Sequence, residues 1–183
     1  MAVTQELKFG PVEFPPFIDR EFDAGWSMGL SAQHIVLTHF RKLLGYREGV
    51  MRNEEVEAVH QLRVCARRCR TALQAFKYVW DPGTVQYFQK RLGKFANGFG
   101  VARDLDVMLI YLREQLEQAE GERAGAYRWL LEHNEQLREA EQPKLVKRLR
   151  KFEESGLARQ FVSFFGTLPV DLWQPWEEQQ VAG

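Results

Sequence analysis

Apolar positions along this chain recur at steps of three and four residues. The series Val59, Leu62, Cys65, Ala66, Cys69, Ala72, Leu73, Phe76 is the clearest case. At 3.6 residues per turn such positions line one face of an α-helix. Two long stretches, 17–81 and 83–142, contain no proline and are rich in Leu, Ala, Glu, Gln, Arg and Lys, all good helix formers. No run of short alternating segments with hairpin turns is present, so strands are not expected. The pattern predicts helices over about 31–44 with Ser31 as N-cap, 54–80 ended by Asp81-Pro82-Gly83, 84–99, 103–118, and 123–154 with Pro143 as a candidate bend. A short last helix is expected from a cap at Ser155 to about Thr167. Pro11, Pro15 and Pro16 make the start irregular. The expected fold is all-α, an antiparallel helical bundle of about five to six helices over 30–168. An irregular segment, 1–29, precedes it and a tail, 169–183, follows it.

Length and composition narrow the class. One domain fits 183 residues, and a 45% hydrophobic share with 13% aromatics can fill a core. The longest purely apolar run is Val107–Leu112, far short of the roughly 20 residues a spanning helix needs. No basic-then-apolar leader opens the chain, which makes the cytoplasm the expected compartment and a membrane partner unexpected. Two cysteines cannot build a disulfide framework.

Charge changes the picture further. The chain has 25 Lys+Arg and 25 Asp+Glu, yet the balance is segregated. Residues 1–58 carry 6 basic and 9 acidic side chains, residues 59–103 carry 9 and 1, and residues 104–183 carry 10 and 15. A local surplus of this size suits a polyanion partner, although acidic neighbours within the fold could also absorb it. On the second helix, His60, Arg63, Arg67 and Arg70 fall within about 80° of one another, opposite the apolar face, and Arg68 lies apart. Only Glu55 and Glu57 are nearby acids on that helix. Guanidinium groups present planar forks of donors that match phosphate oxygens. The stripe therefore calls for neutralisation by an anionic ligand or by acids of another helix.

The residues that carry this stripe also carry a resemblance. Glu57-Ala58-Val59-His60-Gln61-Leu62-Arg63-Val64, continued by Ala66-Arg67-Arg68 and Arg70, resembles the signature helix of the CHAD (conserved histidine α-helical domain) family. Gly100-Val101-Ala102-Arg103-Asp104-Leu105-Asp106-Val107 is similar to that family's Gly-x-x-Arg-Asp-x-Asp-Val segment. The resemblance covers roughly 30–168. It implies a helical domain that binds inorganic polyphosphate through basic residues lining a groove or cavity. Carried onto this chain, the phosphate-binding set is His60, Arg63, Arg67, Arg70, Lys90, Lys94 and Arg103, with Arg91 beside Lys90. Such a protein would work without a cofactor and be associated with polyphosphate granules. Family domains usually contain two related halves, whereas this chain shows one signature and resembles the N-terminal half. A homodimer that completes a two-half cavity is one expectation that follows.

Other constellations favour structure over chemistry. His34 and His39 are five residues apart and cannot share a metal on one face of a straight helix. No metal site is expected there or at His60. Cys65 and Cys69 sit on the apolar face as buried small hydrophobes. Asp104 and Asp106 suggest Mg²⁺ chemistry, but a helix-terminal cap and a buried ion pair with an arginine of the second helix are the favoured roles. The five tryptophans read as core or docking residues. Lys144, Lys147, Arg148, Arg150 and Lys151, mixed with acids, read as a solvated face able to lend charge to a groove rim. No phosphate-binding loop and no nucleophile elbow is present, so binding is expected rather than catalysis. The alternatives to polyphosphate are a nucleic-acid binder and a protein-interaction bundle with internally paired arginines.

Overall fold

Seven α-helices and one 3-10 turn, with no strand among the described residues, make up the computed structural model, which describes residues 9–53 and 56–167. The expected all-α fold is what this chain adopts. The 3-10 turn covers Pro16–Asp19. The helices are α1 (Met28–Gly45), α2 (Arg47–Arg52), α3 (Val56–Ala75), α4 (Pro82–Asn97), α5 (Gly100–Glu117), α6 (Gly121–Glu154) and α7 (Leu157–Phe165). The expected tail, 169–183, lies outside the described residues.

Each boundary has a local cause. α1 begins three residues before Ser31, because Ser27 is its N-cap and Ser27 Oγ accepts from the Leu30 amide at 3.2 Å. Tyr46 ends α1, and the six residues of α2 follow at once, stopped by Asn53 in the left-handed region at φ 56°. So short a helix shows no apolar period, and the sequence pattern did not reveal it. α3 ends at Ala75 rather than 80. A turn follows it, and Val79 and Trp80 are then buried from outside the helix, Trp80 meeting Phe165 edge-on with centroids 4.9 Å apart. Asp81-Pro82 does more than end a helix. Asp81 caps α4, accepting from the Thr84 amide at 2.7 Å and its hydroxyl at 2.8 Å, with Pro82 in the first turn. These bonds, the hydroxyl's first, hold the Asp81 carboxyl below its usual range. α6 continues through Pro143 as one helix of 34 residues, about 50 Å long at 1.5 Å per residue. Before α7, Gly156 takes φ 63°, which a side chain would strain, and Ser155 Oγ accepts from the Leu157 amide at 3.3 Å.

The main core lies between α1 and α3, the most extensively packed pair alongside α5–α6. Val36, Leu37 and Phe40 meet Leu62, Ala66, Cys69 and Leu73, all fully buried. α7 closes this core with Phe161, stacked on Phe40 at 3.9 Å and edge-on to Phe88 of α4 at 5.1 Å. α4 packs beside α3, and its Phe95 meets Phe152 of α6 at 4.3 Å. α5 and α6 form a hairpin that enters this core with Ala102, Leu145, Leu149 and Phe152, while Leu109, Leu112 and Ala124 are buried outside the main cluster. Among the described residues, no helix is long and apolar enough to cross a membrane.

Candidate functional site

The α3 stripe forms as its spacing predicts, and the packing of α3 against α4 decides what each member does. Arg67 and Arg70 are exposed, while His60 and Arg63 are half-buried. Arg63 donates through Nη1 to the Ala96 carbonyl at 2.7 Å. From the other side Arg148 of α6 donates through Nε to the Gly98 carbonyl at 2.7 Å. Two cations thus close the C-terminal end of α4, where carbonyls lack helical partners and the helix dipole is negative. Arg63 is therefore partly committed inside the fold. Arg70 lies over Gly93, where a Cβ would come within 3.2 Å of the guanidinium carbon. Arg67 and Arg70 border a depression of about 560 Å³ with Thr71, Gln74 and Gln89.

The remaining predicted residues join from neighbouring helices. Lys90, Arg91 and Lys94 are exposed on α4, where the spacing places Lys90 and Lys94 about 40° apart and Arg91 about 60° further round. Arg103 stands in the first turn of α5, half-buried, and its Nη1 has no hydrogen-bond partner among the described residues. Residue Gly100 of the same turn faces Arg63, 3.4 Å from its Nη1 to where a Cβ would sit. His60 makes one loose contact, Nε2 to Glu57 Oε1 at 4.0 Å. Arg68 does stand apart. It borders the α1 side of α3 with Ile35 and His39. Burial first, then the Arg68 and Lys42 charges, hold His39 below its ordinary pKa.

Ion pairing bears on the fate of the stripe. Among the described residues, no carboxylate lies within 4.0 Å of a charged nitrogen of Arg63, Arg67, Arg70, Lys90, Arg91, Lys94 or Arg103. The acids pair elsewhere: Glu153 with Arg47 at 2.8 Å, Glu135 with Arg113 at 2.9 Å, Asp106 with Arg138 at 2.6 Å. The α5 carboxylates correct two expectations, the first at Asp106. Its partner is an arginine of α6, not of α3, because the α5–α6 hairpin turns Asp106 inward. Asp104 is no cap either. Phe99 takes that position, and Asp104 is exposed within α5.

The α6 cations, expected as a solvated face able to lend charge to a groove rim, do line a groove, Arg150 excepted. Between α4 and α6 runs a groove of about 750 Å³, walled by Arg91 and Lys94 on one side and Lys144, Lys147, Arg148 and Lys151 on the other. The α6 residues stand at i, i+3, i+4 and i+7, the spacing of a single helical stripe. That signal was legible, although the interleaved acids also suited a solvated face. A slightly larger cavity, about 790 Å³, lies between α4 and α7, bordered by Val79, Trp80 and Phe88. It is apolar, and the charge chemistry is elsewhere.

The cysteines behave as expected. Cys65 and Cys69 are free and buried, and burial pushes both thiols up. His34 contacts the Arg20 carbonyl at 3.1 Å and sits edge-on to Trp26. Of the tryptophans, Trp80 is core, while Trp129 is exposed and stacks on His133. Trp173 and Trp176 lie outside the described residues.

An all-α bundle that gathers unpaired cations from adjacent helices defines a class of protein suited to polyanions. The chain belongs to the CHAD domain family, whose model matches residues 34–180. That family binds polyphosphate in general. No curated protein matches the chain.

Proposed function

We propose that this protein binds inorganic polyphosphate without catalysing a reaction on it, using Arg67, Arg70, Lys90 and Lys94 with His60, Arg63 and Arg103 at the same surface. The observation that carries this reading is that, among the described residues, none of these arginines and lysines has a carboxylate partner, while His60 stands 4.0 Å from Glu57. An internally neutralised interaction bundle would have turned acids of a neighbouring helix toward the stripe. A nucleic-acid binder would interleave exposed aromatic rings for base stacking. Trp80 is instead buried and Trp129 stands on the N-terminal half of α6, and the exposed ring beside the α4 cations, Tyr87, already has Arg91 over it at 5.9 Å.

Titration with long-chain polyphosphate, against single-stranded DNA of matched phosphate count at two salt concentrations, tests the proposal. Polyphosphate is expected to bind more tightly, and its affinity should fall steeply with salt as counterions are released. Equal affinity for DNA, or no polyphosphate binding, would overturn it.

A second copy completes the site in the same reading. Leu130 and Leu137 are exposed on α6 and stand at seven-residue steps before Lys144 and Lys151, so one edge of α6 passes from apolar to basic. Met108 and Tyr111 are exposed on α5 beside it. A copy seated on the apolar part would bring its own cations toward the basic part, and a bound polyanion would relieve their repulsion. Light scattering should then show a doubled mass when polyphosphate is added. A monomer mass with and without polyphosphate, over a wide concentration range, excludes the dimer.

A further inference from the structure

We propose that the α4–α6 groove, rather than the α3 stripe, is the primary phosphate seat, and that a long chain continues from it over α4 to Arg67 and Arg70. This rests on the polyphosphate reading and adds where the polymer is gripped.

The two basic surfaces differ in size and charge. The α3 depression of about 560 Å³ is bordered by two cations, Arg67 and Arg70, whereas the groove of about 750 Å³ is lined by six. The groove is concave, and its cations come from two facing walls. Low-dielectric walls with charges of one sign concentrate the potential between them. Phe95 and Phe152 supply such a surface, together with Leu157. Of the six lining cations only Lys144 has a carboxylate partner among the described residues, Glu141.

Arg148 is held ready. Its Nε bond to the Gly98 carbonyl fixes the guanidinium plane. Residue 98 must be glycine for this approach, since a Cβ would lie 2.6 Å from Nε. The terminal nitrogens of Arg148 make no protein hydrogen bond among the described residues, which leaves a positioned fork for an oxyanion at little ordering cost. Lys144 to Lys151 covers about 10 Å along α6, in rows one turn apart, matched by Arg91 and Lys94 opposite. That is an extended seat for a short run of linked phosphates. Arg91 and Lys94 are shared between the groove and the outer face of α4, so a longer chain can pass over Lys90 toward Arg67 and Arg70. The second contact is then intramolecular, and affinity rises with chain length.

The test uses tripolyphosphate and long-chain polyphosphate as probes, with poly-glutamate of matched charge as control. The proteins are wild type, Lys147→Glu/Lys151→Glu and Arg67→Glu/Arg70→Glu. All four side chains are exposed, and circular dichroism with thermal melting verifies each fold. The neutral pair Lys147→Gln/Lys151→Gln repeats the groove test without reversed charge. Tripolyphosphate binding should fall at least about tenfold in the groove variants and by a clearly smaller factor in the α3 variant. Long-chain binding should fall in both. Unchanged tripolyphosphate binding by the groove variants, or its loss in the α3 variant alone, overturns the assignment. Poly-glutamate binding as tight as polyphosphate overturns the phosphate class. A wild type that binds neither phosphate polymer overturns the underlying reading instead.

Discussion

Arg138→Ala should destabilise the protein by about 3–5 kcal/mol, the usual cost of removing one partner from a buried ion pair. Arg138 and Asp106 are among the few buried charged side chains, 9% and 2% exposed, and are joined at 2.6 Å. The other Asp106 oxygen has no partner among the described residues, so losing Arg138 strands the buried carboxylate. The same guanidinium reaches Gln142 Oε1 at 3.2 Å and Asn53 Oδ1 at 3.1 Å. Gln142 in turn donates to the carbonyls of Val50 and Met51. One side chain therefore ties α5, α6 and the α2–α3 junction together, and it sets where the basic wall of α6 stands. Replacing both charges, Asp106→Leu with Arg138→Met, should recover much of the loss, because no buried charge is stranded. Urea melts of the two variants and the wild type measure this. A single-mutant cost under about 1 kcal/mol would show that the carboxylate finds water, and the network would not be the tie described here.

Phe161→Ala is expected to cost about 3–5 kcal/mol, the range for deleting a fully buried phenyl ring. Phe161 is wholly buried among Phe40, Phe88 and Phe165. Its loss opens a cavity where α7 meets α1 and α4. α4 carries Lys90, Arg91 and Lys94, so a loosened packing face should also weaken the basic surface. Thermal melts should show a large drop in midpoint. Phe161→Leu should lie between the variant and wild type, since it keeps much of the volume. Equal midpoints for Phe161→Ala and wild type would mean that α7 does not brace the core.

Both residues illustrate what one dimension conceals. Phe161 belongs to a short apolar segment that reads correctly as a helix, and burial follows from that pattern. Arg138 is one of many charged residues on a long polar helix, and nothing in its spacing distinguishes it from Arg128 or Arg150. Burial of a charge depends on which helix lies opposite, and local periodicity does not encode the neighbour. The same reason explains Asp106, whose buried pairing was anticipated but whose partner was not.

The α3 stripe was legible because its members share one helix, where a 3.6-residue turn converts spacing directly into geometry. The all-α class, the inward Cys65 and Cys69 and the outward Arg67 and Arg70 were determined in this way by the sequence alone. So were the two motifs that identify the family. The tertiary structure decided the rest: that Arg63 and Arg148 meet at the end of α4, and that Lys94 faces Lys147 across a groove. It also decided that the first turn of α5, at Gly100, approaches Arg63. Each of these joins residues dozens of positions apart, and their distance is set by how apolar faces pack, which only the folded chain specifies.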